Sequence, residues 1–491
     1  MRCAVLLVMP PQKGLLDGFA TGLMCLHSHL ERTLPETICE ILNYSTASDS
    51  AVVAEFERHA RLLGDWPVLV GITTTTASYQ SALHCARVAK QKLPGCRVVF
   101  GGHHASADSE NILTHHRDAV DYIVIGEGER SLEHLVTYFP DPGHVPGLAY
   151  IDRHGRYTAN PAPPPLTQTE LDKIDVLYRG GFVGTPGKFS TTTYVSARGC
   201  PLRCAFCSVA NQAIRARSVS QVKSDLRKLV RAGHSKISIE DNFFAHAPAR
   251  TRDICRAFRE LREEEGLKFT WDCQTRVESL ARRGTVEELV DGGCTAVYIG
   301  VESLVPDKLI YLNKTRHPEN YLSLLSNDVI PRLLESSIDC YINLQFGMLR
   351  EGSADLEQTC ERLSDWGQWA SAQNKVLTVF PQLHVVYPGT EHFRQGVTQG
   401  RFSKDVFEMF TEWEADQEPV LNWLGEHFAH GTGGLPEGIL NAQALQQGQF
   451  AVEFLETTRI STWLHRIGSL PGISVFHYGA YLTQQSTPTT L

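Results

Sequence analysis

Apolar residues in the first third of the chain come in short continuous runs. They begin at Cys3 (CAVLLVM), Thr37 (TICEILN), Pro67 (PVLVGI), Arg97 (RVVFGG) and Asp121 (DYIVIG). Between them the period changes to that of a helix: within 78–92, Ala82, Cys85, Val88 and Ala89 share one face. A continuous apolar run is a strand covered on both faces, which is what a parallel sheet between two helix layers demands. Residues 1–145 are therefore predicted to form a doubly wound α/β domain, with ligands at the carboxyl ends of its strands.

The alternation resumes over 190–395. Strand starts at Tyr194, Lys236, Lys268, Ala296, Ile338 and Gln382 lie about 38 residues apart, one strand and one helix per repeat. Val219, Val222, Leu226 and Leu229 form one helical face closed by Gly233, and Thr285–Glu288 has the pattern of a capping box with Gly292 as the stop. Six such units fit an open sheet or an incomplete barrel, and spacing alone leaves both open. The connection 146–189 is expected to hold a hairpin (Pro146–Tyr157), a stiff spacer (Asn160–Pro165) and a glycine-rich loop (Gly180–Gly187). Residues 396–491 read as a small, mainly helical domain. Its Trp413, Trp423, Phe450, Phe454 and Trp463 are expected to be core, and the tail after Gln484 disordered.

Composition narrows the class. With 491 residues, 42% hydrophobic and 21% charged, the chain has material for more than one core. Its 46 Lys and Arg against 55 Asp and Glu leave a net charge of −9, which counts against a nucleic-acid partner. No run approaches the ~18 apolar residues of a membrane span. The N-terminal run is as short as a strand and lacks a cleavage site, so no signal peptide is expected. Thirteen cysteines in a chain of this size point to reduced thiols, metal ligation or catalysis in a reducing, cytoplasmic setting.

Three of those cysteines carry the chemistry. After the strand Tyr194–Ala197 the chain reads RGCPLRCAFC, placing Cys200, Cys204 and Cys207 in a CxxxCxxC pattern. A structural zinc site needs four ligands, and no second Cys pair or suitable His follows nearby. Three thiolates on a 4Fe–4S cluster leave one iron open for substrate. The adjacent histidines 103/104 and 115/116 face apart on any regular element and are read as loop or surface rather than metal ligands.

RGCPLRCAFC resembles the cluster loop of the radical SAM superfamily, and further segments extend the resemblance. Glu240-Asp241-Asn242, in ISIEDNFF, is similar to the second-strand segment that contacts the amino group of S-adenosylmethionine. Arg276 in TRVESL follows the third strand, Glu302-Ser303 in IGVES resembles the fourth-strand motif, and Tyr387–Thr390 resembles the PGT after the sixth. The resemblance implies an incomplete (β/α)6 barrel with these segments at the carboxyl ends of its strands. It also implies Cys200, Cys204 and Cys207 as cluster ligands, Glu240 and Glu302 as acceptors for ammonium or ribose groups, and Arg276 as partner of the methionine carboxylate.

The first domain has a counterpart in the cobalamin-binding group of the superfamily, whose Rossmann-like domain precedes the barrel. Thr74 and Ser78 (in TTTTAS), Gly101, Gly102 and His104 (in GGHHAS), and Gly126, Glu127 and Gly128 (in VIGEGE) stand where that group meets the corrinoid. The D-x-H-x-x-G motif that gives cobalt a lower axial His elsewhere is absent; Asp152-Arg153-His154-Gly155 lacks the later glycine. The resemblance thus implies a 4Fe–4S cluster, S-adenosylmethionine and cobalamin as cofactors. It implies a one-electron reductant such as flavodoxin or ferredoxin as partner. The expected activity is C-methylation of an unactivated carbon in a small metabolite or peptide of natural-product biosynthesis. Radical cyclisation, rearrangement or oxidation is the alternative, and a non-catalytic corrinoid carrier a more distant one.

Overall fold

In a computed structural model the chain is described over residues 3–11, 21–45, 47–76, 78–177, 191–348, 351–384, 386–400, 403–405, 408 and 466–475. It forms two compact units: one from 1–189 with 387–389 and 393–415, the other from 190–386 with 390–392 and 416–491.

The first unit is built on a seven-stranded sheet. Its strands are β1 (Ala4–Met9), β2 (Cys39–Asn43), β3 (Val68–Thr73), β4 (Arg97–Gly101), β5 (Tyr122–Val124), β6 (Leu148–Ile151) and β7 (Tyr157–Ala159), in the order β2-β1-β3-β4-β5-β6-β7. The first five pair in parallel; β6 and β7 are antiparallel additions. Alternate residues of each strand feed opposite cores. Leu6, Val8, Val70 and Ile72 pack with Phe56 and Ala86 on one face. Val5, Leu7, Leu69 and Val99 pack with Leu30 and Leu135 on the other. The expected hairpin is thus a continuation of the sheet. Its edge is extended by the start of the proline spacer, where Gly147 N–H donates to the Pro161 carbonyl.

The second unit holds a two-residue ladder, β9 (Ala197–Arg198) with β10 (Arg215–Ala216), and a second seven-stranded sheet. That sheet comprises β8 (Thr192–Tyr194), β11 (Lys236–Ile239), β12 (Thr270–Thr275), β13 (Cys294–Glu302), β14 (Asp339–Phe346), β15 (Leu377–Leu383) and β16 (Ile473–Val475). All its pairings are parallel, and β8 and β16 are its two edges. Three sequence expectations shift. The sixth strand begins at Leu377, not Gln382, with Pro381 inside it opposite Leu344. Residues 473–475, expected within a helical domain, instead supply a seventh strand. The helix at Thr285–Gly292 has no side-chain cap; left-handed Gly284 and Gly293 bound it. By contrast, the helix Val219–Arg231 starts as patterned, with the Ser218 side chain accepting from Gln221 N–H. The glycine-rich loop 180–187, the five aromatic residues between 413 and 463 and the tail after 484 lie outside the described residues.

Candidate functional site

The three thiols sit on one irregular loop at the carboxyl end of β8. The β9–β10 ladder pins its base, and backbone bonds fold it: Gln212 N–H to Cys200 O (2.8 Å), Asn211 N–H to Leu202 O (2.6 Å) and Cys207 N–H to Cys204 O (3.2 Å). Gly199, at φ 89°, lets the chain pass against the Ala213 carbonyl, where a Cβ would collide. Two further anchors hold the middle. Ala205 N–H donates to Leu312 O at 2.9 Å, and the side chain of Asn313 donates to Arg203 O at 2.5 Å.

The strand leading into the loop is fixed by two buried carboxylates. Asp241 accepts from Ser196 N–H (2.6 Å), Ser196 Oγ (2.5 Å) and Ala197 N–H (2.8 Å). Asp225 accepts from the Tyr194 hydroxyl (3.0 Å), Arg217 (3.1 Å) and Gln221 (2.7 Å). A buried carboxylate is stable only with such a full set of donors. Asp241 therefore positions the thiol loop from within, while its neighbours Glu240 and Asn242 are exposed at the end of β11.

Arg276 and Glu302 lie beyond the ends of β12 and at the end of β13. Arg276 is almost fully buried; Nε and Nη2 donate to Glu278 at 3.1 and 2.9 Å, Nη2 also to Lys314 O at 2.8 Å, and Nη1 reaches Cys204 Sγ at 3.7 Å. Glu302 stands at φ 73°, a strained conformation for a non-glycine residue and a mark of functional sites. Its oxygens accept from Lys314 Nζ (3.1 Å) and Gln345 Nε2 (2.8 Å). Gly300 leaves the room: a Cβ there would lie 2.8 Å from Glu302 Oε1. Ser303 is buried and accepts from Val305 N–H, closing a turn.

The network continues through residues without a local sequence signal. Gln345 Oε1 meets His384 Nδ1 at 2.8 Å, His384 Nε2 meets His392 Nδ1 at 3.1 Å, and His392 Nε2 meets Tyr311 O at 3.1 Å. Both imidazoles are buried. Burial, and then the neighbouring His392, pulls His384 down to about 3. Elsewhere on the sheet Tyr298 and Tyr341 stack at 4.7 Å, and the single Ser238 hydroxyl hydrogen lies between Asp272 (2.6 Å) and Glu240 (3.0 Å). Burial, and secondarily Glu240, raises Asp272 to about 6.

Whether the thiols fit a cluster can be judged from their setting. All three are free, Cys200 is buried and the other two half-buried. Burial raises Cys200, and raises Cys207 to about 11. Iron would displace those protons, as metal binding to thiols does. Among the described residues no three His, Cys, Asp or Glu converge as around one ion. Ligands that each take a different iron of a cluster have no need to converge.

In the first unit the expected residues divide. Thr74 and Ser78 are buried, and their hydroxyls bond inside the loops. Thr74 Oγ1 donates to Gly101 O (2.8 Å) and accepts from Ala105 N–H (3.1 Å), and Ser78 Oγ accepts from Thr75 N–H (3.0 Å). Gly102, at φ 96°, is required there, since a Cβ would meet Thr74 O at 2.5 Å. Gly101, Gly102 and Gly126–Gly128 remain partly or fully exposed at the ends of β4 and β5. The histidine pairs differ from the surface reading. One of each is buried: His104 stacks on Tyr79 at 4.3 Å and meets Thr76 Oγ1 at 3.1 Å, and His116 pairs with Glu408 at 2.6 Å. Adjacent side chains of the helix His103–Ala107 point about 100° apart, so His103 faces outward while His104 enters the core.

Comparison with known proteins places one family model in each unit. Residues 16–136 match the B12 binding domain, and 194–360 match the Radical SAM superfamily. An uncharacterised methyltransferase of Pyrococcus horikoshii is 28% identical over 333 residues, 64% of this chain and 69% of the relative. The anaerobic magnesium-protoporphyrin IX monomethyl ester cyclase of Rubrivivax gelatinosus is 28% identical over 318 residues, 61% of this chain but only 54% of the relative. The radical S-adenosylmethionine methyltransferase TsrM of Kitasatospora setae, solved with cobalamin and a [4Fe-4S] cluster, superposes with a TM-score of 0.62 at 18% identity, covering 81% of this chain and 75% of its own.

Proposed function

Because this chain joins a B12-binding domain to a domain of the radical SAM superfamily, we propose that it is a C-methyltransferase acting on an unactivated carbon of a small metabolite or peptide. The observation that carries the reading is the thiol loop, with Cys200, Cys204 and Cys207 held at the carboxyl end of β8 and Arg276 beside Cys204. When bound, the cluster and S-adenosylmethionine supply a carbon-centred radical, and cobalamin supplies the methyl group.

The chain's own residues bind, orient and exclude water. Cys200, Cys204 and Cys207 would hold the cluster. Arg276, whose Nε and Nη2 are taken by Glu278, has Nη1 to offer the methionine carboxylate as a single charged donor. Glu240 is an exposed acceptor suited to the amino group. Glu302 keeps lone pairs for a ribose hydroxyl beyond its bonds to Lys314 and Gln345. In the first unit Gly101, Gly102 and Gly126–Gly128 let a bulky corrinoid approach backbone amides. A soluble one-electron donor of the flavodoxin or ferredoxin type completes the system. Among the described residues no helix is long and apolar enough to cross a membrane.

Similarity to the cyclase supports a second reading, radical ring closure without methylation. Anaerobically reconstituted protein, S-adenosylmethionine, cobalamin and a one-electron reductant separate the two. Methylation requires S-adenosylhomocysteine and methylated cobalamin. Turnover to 5′-deoxyadenosine with no S-adenosylhomocysteine would sink it in favour of cyclisation.

A further inference from the structure

The chain of bonds from Glu302 to Tyr311 fixes more than geometry. Glu302 accepts from Lys314 Nζ at 3.1 Å and from the Gln345 NH₂ at 2.8 Å. The Gln345 carbonyl oxygen then faces His384 Nδ1, which must carry a hydrogen. At the far end the Tyr311 carbonyl can only accept, so His392 Nε2 must also carry one. The remaining contact, His384 Nε2 to His392 Nδ1, needs a single hydrogen between two nitrogens. Four ring nitrogens thus hold three hydrogens, whereas two neutral imidazoles hold two.

Burial and the charge on His392 keep His384 a neutral acceptor, so the third hydrogen makes His392 the cation. The Tyr311 ring stacks on His392 at 4.4 Å, the placement in which an aromatic face stabilises positive charge. The pair also lies directly behind the thiol loop: His392 N–H donates to Ala205 O at 3.0 Å, and the Phe206 ring meets His384 edge-on at 6.4 Å. Ala205 and Phe206 are the two residues between Cys204 and Cys207.

We propose that His392 carries one buried proton, donated to His384, and that the two act as positioning residues, holding the middle of the thiol loop against a fixed positive charge that favours the reduced cluster. This rests on the reading that the thiols hold a cluster, yet its first test does not need one. In cluster-free protein labelled with ¹⁵N-histidine, the signals lost in His392→Phe and in His384→Gln identify the pair. They should show three protonated nitrogens in the wild type, and two neutral rings would overturn the proposal. The second test uses reconstituted protein. His392→Phe keeps the stack on Tyr311 and the backbone bond to Ala205 but removes the charge. Its cluster should be harder to reduce by about tenfold, which is 59 mV for one electron, in an EPR-monitored titration. His384→Gln offers an acceptor to His392 and a donor to Gln345, so it should keep the charge and the wild-type potential. An unchanged potential in a fully loaded His392→Phe variant would refute the electrostatic role. Failure of the wild type to bind iron and sulfide would instead refute the cluster.

Discussion

Gly199 and Gly233 both have left-handed backbone, at φ 89° and 100°, yet their surroundings differ. Around Gly233, at the end of the helix Val219–Arg231, nothing lies within 4 Å of an added Cβ. Gly233→Ala therefore meets only the conformational penalty, about 1–2 kcal/mol. At Gly199 the same penalty applies, and the Cβ also collides with the Ala213 carbonyl. Moving Ala213 away pulls on Gln212, whose N–H bonds to Cys200 O at 2.8 Å. Overpacking costs about 1–3 kcal/mol and a lost backbone bond roughly 1 more. Gly199→Ala is thus expected to cost about 2–4 kcal/mol beyond Gly233→Ala. Because the loss falls on the thiol loop, iron and sulfide per chain should drop in Gly199→Ala and stay at the wild-type level in Gly233→Ala. Urea unfolding of both variants, with iron analysis after anaerobic reconstitution, measures the pair. Equal destabilisation with equal iron would show that the close approach at Ala213 does not set the loop.

Other outcomes follow from single contacts. Burial, and then Glu408, raises Asp108 to about 7 from an ordinary carboxylate value of 3.8. Its contribution to stability is therefore full below about pH 4 and lost as pH rises through 7. Asp108→Asn, which still accepts from Asn111, should flatten that decline, and parallel curves for the two proteins would contradict it. Cys207→Ala should lose most of its iron. Cys340→Ala, buried in β14, should keep its iron and lose about 1 kcal/mol of stability. Arg276→Lys removes the fork that grips Glu278 and faces Cys204. It should retain iron but cut S-adenosylmethionine cleavage by roughly 10- to 100-fold, and wild-type cleavage would make Arg276 a purely structural ion pair.

The sequence determined most of the strands and the thiol loop. Apolar runs such as Ala4–Met9 and Val68–Thr73 are legible because a strand buried on both faces has no polar position to confuse the pattern. Cys200, Cys204 and Cys207 are legible because a ligand loop is local, its spacing written within eight residues. The sixth strand was misplaced because Pro381, usually a strand breaker, lies within it. Tertiary structure alone decided what each polar group does. Asp241, next to exposed Glu240, turns inward to accept from Ser196, 45 residues away. Likewise Glu302, Gln345, His384 and His392 come from β13, from β14, from just past β15 and from the helix Glu391–Thr398. They meet because parallel strands gather their carboxyl ends at one edge of the sheet. A hydrogen-bond chain across that edge joins residues up to 90 positions apart, and no periodicity along the sequence records it.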